Sequence, residues 1–379
     1  MKIRLKNFLM FSCILALTSC KQLPNSEPAE VAEHTSSPED KFTIERGVNI
    51  SHFLSQTDRD DEERKAFFNE KDVALIASIG YDHIRLPIDE KNMWDEDGNK
   101  IALAFEALHH ILSLALEQDL KVIVDLHIVR SHYFNDSYNP LWDEVEEQEK
   151  FTDLWLQLSN ELKKYPNDMV AYEILNEPVA NDPEDWNKLI AQTLKTIRQE
   201  EPTRMVVIGS NKWNSVNTFG DLKVPEDDKN LILSFHFYSP HVFTHYKAPW
   251  SKKVGFYTGP VKYPGKPLNE TDLKDYDQAQ VKSLMEDNAE YSKEHMASKM
   301  KNAMAVAKEL GLQLHCGEFG SYPSTSEEDR LQWYSDMISI FKENNIAWSN
   351  WDYKGGFGIV NSQGEPKKVL VKTLMQRAN

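Results

Sequence analysis

"AYEILNEPVA" (171–180) runs apolar through Ile174 and Leu175 and then sets Asn176, Glu177 and Pro178 in a row. The first half reads as a strand covered on both faces, because its apolar residues are nearly continuous rather than alternating. Its abrupt polar end reads as the point where such a strand emerges from the core. Seven other stretches have the same form: "GVNI" (47–50), "HIRLPI" (83–88), "KVIVDLH" (121–127), "RMVVIG" (204–209), "LILSFHFY" (231–238), "LQLHCGEF" (312–319) and "IAWSNW" (346–351).

Helical patterns separate them. Phe151, Leu154, Trp155, Leu158 and Leu162 repeat at i, i+3, i+4, i+7 and i+11, and Leu108, Ile111, Leu112 and Ala115 form a second apolar face. Trp186 to Ile197 is a third helix, opened by Asp182 as N-cap with Pro183 at its first position; Met296 to Leu310 is a fourth, closed by Gly311. Eightfold alternation of strand and helix predicts an α/β fold, a (β/α)8 TIM barrel in one domain. A doubly wound open sheet is disfavoured because no glycine-rich phosphate turn follows the first strand.

In a closed parallel barrel, the C-terminal strand ends form the rim where chemistry is done. Here those ends carry Arg85, His127, Asn176 with Glu177, His236 with Tyr238, Glu318, and Trp351. Any one of them alone would be an ordinary solvated or core residue. Six strand ends out of eight supplying such groups to one rim point to a site. Glu177 and Glu318 close the fourth and seventh strands and so face each other across the mouth. Two carboxyls flanking a cleft suit glycoside hydrolysis, in which one is protonated to donate to the leaving oxygen and the other is ionised.

These residues resemble glycoside hydrolase family 5, the cellulase-like retaining barrel enzymes. "ILNEP" (174–178) is similar to that family's fourth-strand signature, and "CGEFG" (316–320) to its seventh-strand motif. "HIRLP", "DLH", "HFY" and "WSNWDYKGGFG" match the remaining positions in order, over about residues 42–375. The resemblance implies Glu177 as general acid/base and Glu318 as nucleophile. Arg85 is then the cation that lowers the pKa of Glu318, and Tyr238 a donor to the same carboxylate. His236 is the expected neighbour of Glu177, Asn176 the donor to a sugar 2-hydroxyl, His127 a binder of an adjacent hydroxyl, and Trp351 the apolar floor under a pyranose. A cis peptide bond between Trp351 and Asp352 is implied as well.

The resemblance implies a retaining glycosidase that cleaves β-linked glucan by double displacement, as an endo-β-1,4-glucanase. The alternatives are a β-mannanase, a β-1,3-glucan-directed enzyme acting endo or exo, and a non-catalytic glycan-binding lipoprotein. Loops after strands three, five and six are rich in aromatic rings, which either stack on sugars or pack the loops onto the barrel. Trp213 and Trp250 are the candidates for stacking. His132, His241 and His245 fall in loops without metal-ligand spacing, so no metal and no cofactor is expected. Cys316 reads as a small core filler.

At the N-terminus, "MKIRLKNFLMFSCILALTSC" joins basic residues to an apolar run and then small residues, the pattern of a secretory signal. Leu17-Thr18-Ser19-Cys20 resembles a bacterial lipobox, which implies a signal over 1–19 and an acylated Cys20. Residues 20–40, rich in Pro, Ser and Glu, read as a tether, and 41–379 as the catalytic domain. The expectation is an exported monomer, lipid-anchored in the bacterial envelope, that meets membrane only through its lipid. A net charge of −17 argues against nucleic acid as a partner and leaves a neutral polysaccharide or oligosaccharide as substrate.

Overall fold

The computed structural model describes residues 41–376. The proposed signal, Cys20 and the tether lie outside the described residues. Eight strands form one closed parallel barrel in chain order: β1 (Arg46–Asn49), β2 (His83–Asp89), β3 (Lys121–Ile128), β4 (Val170–Glu173), β5 (Val206–Gly209), β6 (Leu231–Phe237), β7 (Gln313–Phe319) and β8 (Ala347–Asn350). β8 returns to pair with β1, so the sheet has no free edge.

Alternation along the strands decides what faces the interior. Val122 and Val124, Val170 and Tyr172, Val206 and Ile208, and Leu231 and Leu233 join the large core beneath the helices. The residues between them, Ile123, Ala171, Val207 and Ile232, instead form a separate apolar cluster with Phe42, Ile44, Met205 and Ala347. That cluster is the floor of the barrel interior. Because the side-chain period of a strand is two, the next interior positions are Asp125 and His127, Glu173, and Ser234 and His236. The polar site is therefore the same inward face, continued toward the strand ends.

The expected helices pack as their periodicity requires. Helix Val145–Leu162 buries all five of its predicted residues, and helix Ala102–Glu117 buries Leu108, Ile111, Leu112 and Ala115. Helix Pro183–Glu200 is capped by the Asp182 side chain, which accepts from the Glu184 N–H. Two expectations need correction. The helix predicted over Met296 to Leu310 is two, Lys293–Lys299 and Lys301–Leu310, broken at the buried Met300, although Gly311 does close the second at φ 65°. β4 ends at Glu173 rather than at Asn176, because the chain bends toward Glu177, which takes the left-handed φ of 47°. Ile174 and Asn176 still donate backbone N–H groups to the neighbouring strands, at Val207 and Leu126.

Gly47 marks the tightest interior contact of β1. A Cβ there would lie 2.2 Å from Nε2 of His83, which is hydrogen-bonded to Ser349 at 2.8 Å and cannot swing away freely. Gly47→Ala is expected to destabilise the barrel by about 1–3 kcal/mol through overpacking. A lowered urea midpoint at unchanged slope would register it, and an unchanged midpoint would mean that the His83 ring yields without cost.

Candidate active site

Arg85 organises the mouth from β2. Its Nε donates to Oε2 of Glu173 at 2.7 Å, its Nη1 to Oε1 of Glu318 and to Oδ1 of Asn49, both at 2.9 Å, and its Nη2 to Oδ1 of Asn176 at 2.9 Å. Nη2 also pairs with Oδ2 of Asp125 at 2.9 Å. The guanidinium is fully buried, and three carboxylates surround it. Burial alone would lower its pKa, but Asp125, Glu173 and Glu318 together raise it, so the cation is permanent.

Each contact aims a second group. Arg85 holds the amide oxygen of Asn176, which leaves the buried Nδ2 without a partner among the described residues and free to donate to a ligand hydroxyl. Glu318 accepts from Arg85 through Oε1 and from the Tyr238 hydroxyl through Oε2 at 2.9 Å. On the far side of the mouth, Oε1 of Glu177 lies 2.8 Å from Nδ1 of His236, which is itself 3.6 Å from Oε2 of Glu318. Carboxylate oxygens of Glu177 and Glu318 come within 4.8 Å of each other. That approach of the nearer oxygens suits direct attack by one carboxylate, for which the carboxyl groups stand roughly 5–5.5 Å apart.

The electrostatics separate the two acids in the expected order but not by the expected route. Arg85 and the Tyr238 hydroxyl pull the Glu318 pKa down, yet burial outweighs them and leaves it above the ordinary carboxyl value. Glu177 is pushed well above that value, first by burial and then by the negative charge of Glu318. Glu177 is thus the one that keeps its proton as pH rises. Burial, reinforced by Arg85, lowers His236 well below the usual imidazole range and His127 to about 4, so both rings are neutral at working pH.

Trp351 leaves β8 through a cis bond to Asp352, as expected, and stacks on His127 with ring centroids 5.7 Å apart and planes 11° from parallel. His127 is held at both nitrogens: Nδ1 lies 2.6 Å from Oδ2 of Asp125, and Nε2 lies 3.1 Å from the amide nitrogen of Gln56. With Nδ1–H donated to the carboxylate, Nε2 is the acceptor for Gln56. Both ring nitrogens of His127, expected to bind a hydroxyl, therefore have partners within the protein, and the half-buried Gln56 amide stands beside it.

The two loop tryptophans are both exposed, Trp213 at 45% and Trp250 at 51%. Trp213 donates its indole N–H to the Phe134 carbonyl and its backbone N–H to Pro178, which fixes it beside the "NEP" turn. Trp250 packs against Tyr322 and Phe357, and Phe357 reaches Tyr238. Most other rings after β6 are not cleft residues: Phe243, Tyr246, Tyr257 and Tyr263 are buried. Tyr246 and Tyr257 belong to a small core of their own with Val242, Val254 and Leu268.

Cys316 is a fully buried free thiol, and His132, His241 and His245 do not gather into a ligand set. Among the described residues, the one trio of donors close enough to share an ion is Glu177, His236 and Glu318, the acid pair itself. Arg85 already supplies the positive charge there. Reasoning from the sequence missed Asp125, Glu173, Asn49, Gln56 and Asn214. The first two had a signal, since each is a carboxylate inside an otherwise apolar strand run and so demands a buried cation.

A closed parallel barrel with two unequal carboxyls across its mouth, one ion-paired to Arg85 and one with its pKa raised by burial and by its partner's charge, is the arrangement of a glycoside hydrolase. The cellulase family model (glycosyl hydrolase family 5) matches residues 49–356. Endoglucanase C of Acetivibrio thermocellus is 32% identical over 344 residues, covering 88% of this chain and 99% of that protein. Cellodextrinase A of Ruminococcus flavefaciens is 28% identical over 80% of this chain and 84% of its own length. Among solved structures, Cel5A of Thermotoga maritima in complex with cellobiose superposes with a TM-score of 0.71 at 24% identity, covering 88% of this chain and 97% of that one. The chain belongs to glycosyl hydrolase family 5.

Proposed function

We propose that the protein is an endo-acting β-1,4-glucanase working by double displacement, with Glu318 as nucleophile and Glu177 as acid/base. The observation that carries this is the hold on Glu318: Arg85 and Tyr238 each donate to one of its oxygens while Glu177 stands within 4.8 Å. In the first half-reaction Glu318 attacks the anomeric carbon as Glu177 protonates the departing glycosidic oxygen. In the second, Glu177 takes a proton from water, which displaces Glu318 and releases the sugar with its original configuration. Asn176, through its free Nδ2, binds the 2-hydroxyl; Trp351 supports the ring in the cleaved position, and Trp213 and Trp250 extend the stacking surface along the chain.

The choice of β-1,4-glucan rests on the relatives, named as endoglucanase and cellodextrinase. A reducing-end assay across purified β-1,4-glucans, β-mannans and β-1,3-glucans, with product sizing, tests it. The expected result is fastest release from β-1,4-glucan with a spread of oligosaccharide lengths. Faster cleavage of mannan or β-1,3-glucan would replace the substrate, a single short product would replace endo action, and inactivity on all would remove the assignment.

We further propose that the enzyme is an exported monomer. Its signal spans 1–19, Cys20 is acylated to hold it in the bacterial envelope, residues 20–40 tether it, and 41–379 do the chemistry. The support is the Leu17-Thr18-Ser19-Cys20 motif after a basic and apolar leader. Incorporation of labelled palmitate, lost in Cys20→Ala, is the corresponding measurement.

A further inference from the structure

Lys212, Trp213 and Asn214, just after β5, have φ of 52°, 62° and 50°, three consecutive non-glycine residues in the left-handed region. Backbone of this kind persists only where its surroundings fix it, and it gathers at functional sites. This turn does two things. It sends Trp213 outward against Phe134 and Pro178, and it sends Asn214 inward until it is fully buried. The space that Asn214 fills exists because residue 209 is glycine: a Cβ there would lie 2.6 Å from the Asn214 amide.

The inward amide meets the histidine of the site. Nδ2 of Asn214 lies 3.3 Å from Nε2 of His236, and Nδ1 of His236 lies 2.8 Å from Oε1 of Glu177. Gly317 backs the same ring edge, where a Cβ would approach Nε2 to 3.2 Å, and Ser215 pairs with the His236 backbone. The charged and titratable groups around this line are Glu318, 3.6 Å from Nδ1, together with Arg85, His127 and His315 acting on His236, and Arg85, Asp125 and Glu173 acting on Glu177. His315 is neutral, lowered by its burial, so the added positive charge is that of Arg85.

A neutral imidazole carries one N–H, and which nitrogen holds it is set by the partner of the other. With its amide nitrogen turned to the ring, and its Oδ1 left buried without a partner among the described residues, Asn214 can only donate, so Nε2 is the acceptor and the proton is on Nδ1. We infer that Asn214 is a positioning residue for hydrolysis: it locks His236 as the Nδ1–H form, so that Oε1 of Glu177 always accepts and its acidic proton resides on Oε2. With the opposite tautomer, Nδ1 would be a bare acceptor and would draw the Glu177 proton onto Oε1, away from the leaving oxygen. Among the described residues Glu177 meets His236 through Oε1, which leaves Oε2 as the proton-delivering atom. This inference rests on the reading of Glu177 as the acid.

The test uses the full chain, labelled with 15N-histidine, and two-bond proton–nitrogen spectra in which His236 is identified by its absence from His236→Gln. In the unaltered protein the protonated nitrogen should be Nδ1. Asn214→Asp, isosteric and tolerant of left-handed backbone, presents only acceptors when ionised and should then place a proton on Nε2. With aryl β-cellobiosides of graded leaving group, this variant should lose roughly 10- to 100-fold in kcat/KM for phenol, which needs an acid, and less than about threefold for 2,4-dinitrophenol, which does not. Asn214→Gly, unstrained at positive φ and without the amide, should show the same leaving-group dependence and serves where the Asp variant fails to fold. A proton on Nε2 in the unaltered protein, or equal losses across the leaving groups, overturns the inference. Glu177→Ala in the same series keeps the two readings apart. Absence of leaving-group dependence in that variant removes the acid role of Glu177, whereas its presence there and absence in the Asn214 variants removes only the role of Asn214.

Discussion

Glu318→Gly should be inactive on polysaccharide, with kcat lowered on the order of 10⁵- to 10⁶-fold as for loss of other covalent nucleophiles, and azide should then restore turnover of an activated aryl β-cellobioside as the α-glycosyl azide. The stereochemistry follows from the geometry. Removing the carboxylate held by Arg85 and Tyr238 opens a space for a small anion on the face opposite the aglycone. Azide entering there displaces the aryl oxygen once, with inversion, and the azido sugar has no carboxylate to carry it further. Glu177→Ala should behave in the opposite sense. Its covalent intermediate still forms from a good leaving group, and azide then attacks from the aglycone side to give the β-azide. A β-azide from Glu318→Gly, with an α-azide from Glu177→Ala, would exchange the two roles. No azide product from either would remove the covalent mechanism.

The sequence made the barrel visible because parallel strands covered on both faces cannot hide their apolar runs, and all eight emerged within a few residues of their observed bounds. The rim residues were visible for the same reason: a polar group that closes such a run marks the place where the strand leaves the core, and in a parallel barrel all those places lie on one rim. What stayed hidden depends on backbone geometry that leaves no apolar pattern. The bend at Glu177, φ 47°, cut β4 short while keeping its line of hydrogen bonds, so the run looked longer than the strand. Gln56 at φ 51° and Asn214 at φ 50° reach the site from loops, where spacing carries no period to read. Asp125 and Glu173 were in plain view inside strands, but their partner Arg85 is brought to them only by the pairing of β2, β3 and β4. The aromatic stretch after β6 was ambiguous in sequence because a ring that packs a small core and a ring that waits for a sugar have the same composition. Burial of Tyr246 and Tyr257 against exposure of Trp250 resolves it.

Arg85→Ala should be the most damaging single change to the folded state of the mouth. It leaves Asp125, Glu173 and Glu318 buried without a cation, and breaking a buried pair by removing one partner costs about 3–5 kcal/mol. The loss has a definite pH dependence. Glu173 and Glu318 already have folded-state pKa values above the ordinary carboxyl value, burial outweighing the pull of Arg85, and without Arg85 both rise further. A carboxyl whose folded pKa is raised destabilises the fold as pH climbs from the unfolded value, 4.5 for these glutamates, through the folded one. The deficit should therefore be largest at neutral pH and shrink toward the unfolded pKa, where protonation removes the unpaired charges. Catalysis should shift in the same direction. The acid limb of kcat/KM reports ionisation of the coupled pair in which Glu318 must be anionic, so that limb moves to higher pH while the limb governed by Glu177 remains above it. Arg85→Lys, which keeps the charge but cannot bridge Glu173, Asn176 and Glu318 at once, should fall between. Urea midpoints at pH 5 and 7, read beside the pH profile of aryl β-cellobioside hydrolysis, decide the matter. A deficit that is the same at both pH values, or an acid limb that stays in place, would mean that Arg85 acts by packing rather than by its charge.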